Sequence, residues 1–88
     1  MKRVEFDKKF IKSDKLRISN NSKLSKKYDD RHILFCEGER GNPLNDHPLT
    51  GKKLGLRAFL ISGDIRVVYK ETDDAFIFLD IGTHNQVY

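Results

Sequence analysis

Three runs in the second half of the chain read at a period of two, the last of them apolar but for Asp80: GLRAFLIS (55–62), IRVVYKE (65–71) and AFIFLDIG (75–82). Two short breaks separate them, Ser62-Gly63-Asp64 and Thr72-Asp73-Asp74. A period of two over runs this short means strands, and breaks this short join only antiparallel neighbours. Residues 55–82 are therefore expected to form a three-strand meander. The last run is the most apolar and belongs inside the sheet. In a chain of 88 residues that meander uses about a third of the length. It leaves room for one core and one domain, residues 1–88.

The first half has the other texture. Lys2–Phe6 alternates charged and apolar residues, with Val4 and Phe6 on one face, and predicts a short strand that can join the sheet. Asp7 can cap a helix running DKKFIKSDKLRIS, with Phe10, Ile11 and Ile18 as a weak apolar stripe. After the break Ser19–Ser22, a second helix carries Leu24, Tyr28, His32, Phe35 and Cys36 on one face and ends at Gly38 or Gly41. The two helices are expected to be antiparallel neighbours, with Cys36 a small buried hydrophobe. The order β-α-α-β-β-β puts helices on one face of an antiparallel sheet, the α+β arrangement.

Between the halves, RGNPLNDHPLTGKK holds both prolines, Pro43 and Pro48, and cannot be a helix or a central strand. Loops of this length tend to be functional, and Leu44 and Leu49 can pin this one to the body.

Charge is uneven. Residues 1–27 carry ten Lys and Arg against three Asp and Glu, a net +7, whereas the rest holds seven against ten, a net −3. A lysine-rich half fits a polyanionic partner, although it also describes a solvated helix surface. The single cysteine excludes an internal disulfide and a cysteine-pair zinc site, and it suits a reducing compartment. No signal-peptide run or membrane-spanning stretch is present, so a cytoplasmic chain is expected.

Polar residues gather at strand ends: His47 in the long loop, Asp64 and Arg66 at the second meander strand, and His84 and Tyr88 after the third. If the register brings them together, they supply two imidazoles, a carboxylate, a guanidinium and a phenol. That set suits cleavage of a phosphodiester by its own 2′-hydroxyl, with no metal or other cofactor. Each residue also has a structural reading. Asp64 after Gly63 is what a turn prefers, Arg66 can face solvent or pair with Asp80, His47 can bond loop backbone, and Tyr88 can be a core ring.

The C-terminal half resembles the RelE/ParE superfamily of toxins from bacterial type II toxin–antitoxin pairs, most nearly the YafQ-like mRNA interferases. The resemblance rests on His47-Pro48-Leu49-Thr50-Gly51, on Gly55-Leu56-Arg57, on GDIRVVY (63–69), and on Gly82-Thr83-His84 followed by Tyr88. It implies a RelE-like fold and a ribosome-dependent mRNA endonuclease acting in the ribosomal A site, neutralised by a cognate antitoxin. By the same resemblance, His47, Asp64, Arg66, His84 and Tyr88 are the candidate catalytic residues. Arg66 would clamp phosphate, His84 would be the acid, Asp64 or His47 the base, and Tyr88 a stacking ring. Lys52, Lys53 and Arg57 would hold RNA. One position departs from the pattern: Leu60 stands where YafQ-like toxins carry a further histidine. A ParE-like toxin that binds gyrase without cutting, or a catalytically weak RNA-binding relative, are the alternatives.

Overall fold

The computed structural model describes residues 2–88. Strand β1 (Arg3–Phe6) leads into α1 (Lys8–Arg17) and α2 (Ser22–Cys36). The connecting loop contains a two-residue strand, β2 (His47–Pro48), and a single 3₁₀ turn at Gly51–Lys53. The meander follows as β3 (Arg57–Ser62), β4 (Ile65–Glu71) and β5 (Ala75–Gly82), and a one-turn helix, α3 (His84–Val87), closes the fold.

Asp7 caps α1, as expected, and Asn21 caps α2. The Asp7 side chain accepts from the Lys9 amide at 3.1 Å, and Asn21 Oδ1 accepts from the amides of Lys23 and Leu24. Gly38 ends α2 at φ 93°, a backbone conformation costly for other residues.

The sheet order is β1-β5-β4-β3-β2, parallel between β1 and β5 and antiparallel elsewhere. The expected strand 2–6 thus becomes an edge strand, and β5 is interior. Pro48 occupies the opposite edge, where a missing N–H costs nothing. α1 lies on β5 and α2 against β3. The helices meet through Phe10 and Tyr28, whose ring centroids are 6.1 Å apart.

Alternation splits the apolar side chains between two faces. Phe59, Ile61, Val67, Tyr69, Phe78 and Ile81 join Phe10, Ile18, Phe35 and Leu44 in the main core under α1 and α2. Phe78 and Ile81 share that core although three residues apart, because the chain bulges at Leu79: Tyr69 faces Phe78 while Val68 faces Asp80. Ala58, Val68 and Leu49 form a smaller cluster with Val87 of α3. Two expectations fail here. Cys36 is exposed, because it is the last residue of α2, one helical step past Phe35. Ile11 is likewise 54% exposed, one step past buried Phe10.

The long loop is held firmly. Leu44 is fully buried, and its carbonyl accepts from the Leu60 amide at 2.7 Å. The side chain of Asp46 is completely buried; Arg57 donates to its Oδ1 at 2.7 Å and the Tyr69 hydroxyl donates to its Oδ2. Burial, then this hydrogen bond, pushes the Tyr69 phenol well above its ordinary range. The hydrogen bond to Asp46 raises Arg57 as well.

His32 yields a pH prediction. Its ring is half-buried, 5.7 Å from Phe78 and 6.3 Å from Phe6, with the Tyr28 hydroxyl 3.1 Å from Nδ1. Desolvation lowers its pKa, and Asp29 opposes this only in part. The unfolded chain therefore takes up the proton first. Stability contributed by neutral His32 is present above an unfolded value of about 6.5 and falls as pH drops through it. Melting temperature should decline from pH 7.5 to pH 5, and this decline should be smaller in His32→Gln.

Candidate functional site

The hairpin between β3 and β4 is a two-residue turn, Gly63-Asp64, with Gly63 at φ 54°. It places Asp64 at the rim of the sheet beside the start of α3. Asp64 Oδ1 accepts from Arg66 Nη2 at 2.7 Å, and Oδ2 accepts from the backbone amide of His84 at 3.2 Å. Both carboxylate oxygens are thus engaged, one on the guanidinium and one on the helix that carries the imidazole. Arg66 lies directly across from Gly82 on β5 and from Leu60 on β3. It pairs with Asp64; Asp80 is instead held by Arg17 and Lys9.

Helix α3 makes the rest of the arrangement. Its single turn puts His84 and Tyr88 four residues apart on one side, with the Tyr88 amide donating to the His84 carbonyl at 3.0 Å. The two rings meet edge to face, centroids 4.4 Å apart, and the Arg66 guanidinium carbon is 5.4 Å from the Tyr88 ring centre. The Thr83 amide donates to Gln86 Oε1 at 2.8 Å. This helix was not expected from strand patterning, yet Thr83-His84-Asn85-Gln86 has the Ser/Thr-x-x-Glu/Gln form of a helix start.

Across from α3 lies the long loop. His47, Pro48, Leu49, Thr50, Lys52, Lys53, His84 and Tyr88 line a half-open groove of about 410 Å³. His47 Nδ1 is 3.0 Å from the Asn45 carbonyl oxygen, which can only accept. The proton is therefore on Nδ1, and the neutral ring keeps its lone pair on Nε2. Thr50 lines the groove without having been singled out in the sequence. Of the expected residues, Asp64, Arg66, His84 and Tyr88 form one cluster, and His47, Lys52 and Lys53 complete the groove with its two rings. Arg57 does not line it. It shares a face of β3 with Phe59, faces Tyr69 across the ladder, and is committed to Asp46.

Among the described residues, no group of three or more His, Cys, Asp or Glu is placed to hold a metal ion. No helix among them is long and apolar enough to cross a membrane.

The family profile described as bacterial toxin of type II toxin–antitoxin system, YafQ, matches residues 2–88. The chain belongs to the YafQ toxin family. Solved structures agree with the assignment. YafQ from E. coli strain BL21(DE3) is 26% identical, with a TM-score of 0.83 over 100% of this chain and 99% of that one. The toxin in the E. coli DinJ–YafQ toxin–antitoxin complex is 27% identical, at a TM-score of 0.80 over 99% and 97%. A metal-bound toxin from Helicobacter pylori is 25% identical, at 0.74 over the full length of both. No curated protein sequence matches the chain. As a YafQ-family member the protein is a toxin of a type II toxin–antitoxin system, on a RelE-like α+β fold.

Proposed function

We propose that this toxin is a ribosome-dependent mRNA endonuclease that cleaves by 2′-hydroxyl attack. The observation that carries the reading is a groove lined by both His47 and His84, with Tyr88 edge-on to His84 and the Arg66 guanidinium next to the Tyr88 ring. His47 Nε2 takes the proton of the ribose 2′-hydroxyl. The oxygen attacks the adjacent phosphorus, and the bond from phosphorus to the 5′-oxygen breaks. His84 protonates that leaving oxygen, giving a 2′,3′-cyclic phosphate and a free 5′-hydroxyl. Arg66 stabilises the charge that builds on the phosphorane, and Tyr88 stacks on a nucleotide. Between the two candidate bases, His47 is favoured, because both oxygens of Asp64 already accept hydrogen bonds. Asp64 orients the other groups instead.

Lys52 and Lys53 at the groove and the basic first 27 residues fit a ribosomal RNA surface carrying the message. The toxin's second partner is a cognate antitoxin, as the DinJ–YafQ complexes support for a relative. Leu60, opposite Arg66, favours slower chemistry than a third imidazole there would give, since one general base is worth about 10²–10⁴-fold.

The test is induced expression with primer extension on a reporter mRNA, with and without its start codon. Cuts should fall inside translated codons and disappear without the start codon. Growth arrest with intact mRNA and an induced DNA-damage response would replace this reading with gyrase binding.

A further inference from the structure

One cation of α1 reaches the backbone of the sheet. Arg17 is 63 residues from Asp80 in sequence, yet its Nη1 reaches Asp80 Oδ1 at 3.5 Å and donates to the Ile81 carbonyl at 2.9 Å. Its side chain is only 28% exposed. Asp80 is 4% exposed, and its Oδ1 also accepts from the Ile81 amide at 2.9 Å. Lys9, two turns earlier on the same helix, approaches Asp80 Oδ2 at 3.4 Å. A buried carboxylate at the end of β5 is thus met by two cations of α1.

The location matters more than the pair. β1 covers β5 only as far as Phe78, so from Leu79 onward the strand has no strand partner on that side among the described residues. Arg17 fills the gap by taking the Ile81 carbonyl. The next residue is Gly82, where the guanidinium packs so close that a Cβ would lie 2.7 Å from Arg17 Nη1 and 2.6 Å from Gln86 Oε1. Gln86 in turn accepts from the Thr83 amide. Arg17, Gly82 and Gln86 therefore form a joint at the point where β5 ends and α3 begins, two residues before His84.

We infer that Arg17 is a positioning residue for the groove: through Ile81 and Gly82 it fixes the angle at which α3 leaves the sheet, and so the place of His84 and Tyr88. Asp80 holds Arg17 in that pose. Asp64 fixes α3 from one side through the His84 amide, and Arg17 fixes its root from the other. This inference rests on the endonuclease reading for its catalytic consequence, but its structural half stands apart from that reading. A displacement of about 1 Å at a reacting group is worth about 10²-fold in rate, so a loose joint is costly without touching any group that meets RNA.

The experiment compares Arg17→Met, which keeps the apolar stem, with Arg17→Lys and Asp80→Asn. Cleavage of ribosome-bound mRNA gives kcat and KM, and amide hydrogen exchange reports Thr83–Tyr88. In Arg17→Met, kcat should fall about 10–100-fold with KM within about twofold, and exchange in α3 should quicken while the β4 amides keep their protection. Arg17→Lys should recover part of both. Asp80→Asn should shift them the same way, and serves if Arg17→Met does not fold. A loss confined to KM would mean that Arg17 only attracts RNA, and unchanged α3 exchange would mean that the joint is not tight; either result overturns the inference. If the wild type cuts nothing, the exchange comparison still decides the structural half, so the two readings fail separately.

Discussion

Phe35→Ala should be a strongly destabilising core substitution in this chain. The ring is 1% exposed and is the hub of the main core, with centroids 4.8 Å from Phe59, 4.9 Å from Phe76, 5.0 Å from Tyr69 and 5.4 Å from Phe78. These partners come from β3, β4 and β5, so a single side chain of α2 ties three strands to the helical layer. Arg40 closes the outer side, its guanidinium carbon 3.9 Å from the ring centre. Truncation of a buried Phe costs about 3–5 kcal/mol, part of it from the cavity that rigid neighbours cannot fill. A domain of this size has about 4–13 kcal/mol to lose, and each kcal/mol moves the melting temperature by about 4–8 °C. A thermal melt should therefore fall by tens of degrees, and Phe35→Leu should recover much of the loss. A drop of only a few degrees in the alanine variant would show that the ring is not the hub this geometry makes it.

The second large effect is on activity alone. His84→Ala should lower cleavage of ribosome-bound mRNA by about 10²–10⁴-fold, the usual worth of one proton-transfer group. Its melting temperature should barely move, because the side chain is exposed and the bond to Asp64 uses the backbone amide, which alanine keeps. The leaving 5′-oxygen would then have to find its proton in water. Tyr88 also loses its edge-to-face partner, so a modest rise in KM should accompany the fall in kcat. Cleavage within threefold of wild type would remove His84 from the mechanism and leave the groove without its assigned acid.

The two halves of this molecule were not equally legible in sequence. Strand runs of period two with Gly63 between them specify a meander, Asp7 announces the first helix, and the spacing of Leu24, Tyr28 and Phe35 announces the second. What stayed hidden depends on register. Nothing in KRVEF says that β1 pairs parallel with β5, since a parallel partner is chosen by how α1 and α2 return the chain. The bulge at Leu79 is also silent, yet it breaks the strand's alternation, so that Ile81 rather than Asp80 shares the main core with Phe78. The groove followed the same division. His84, Tyr88, Asp64 and Arg66 were visible as chemistry at strand ends, and α3 was within reach through Thr83 and Gln86. Arg57 was expected to hold RNA, and its pairing with Asp46 was not visible in the sequence. The parity of β3 instead sets it beside Phe59, on the face where Asp46 waits.

The buried Asp46 changes the meaning of the loop that precedes it. A stretch with two prolines and two glycines looks like a slack connector that tolerates any length. Here Leu44 and Asp46 are bolted to the sheet, and the very next residue is His47. The segment thus works as a ruler rather than a tether. One residue more or fewer after Asp46 would swing an imidazole out of register with the phosphate it serves in the proposed mechanism.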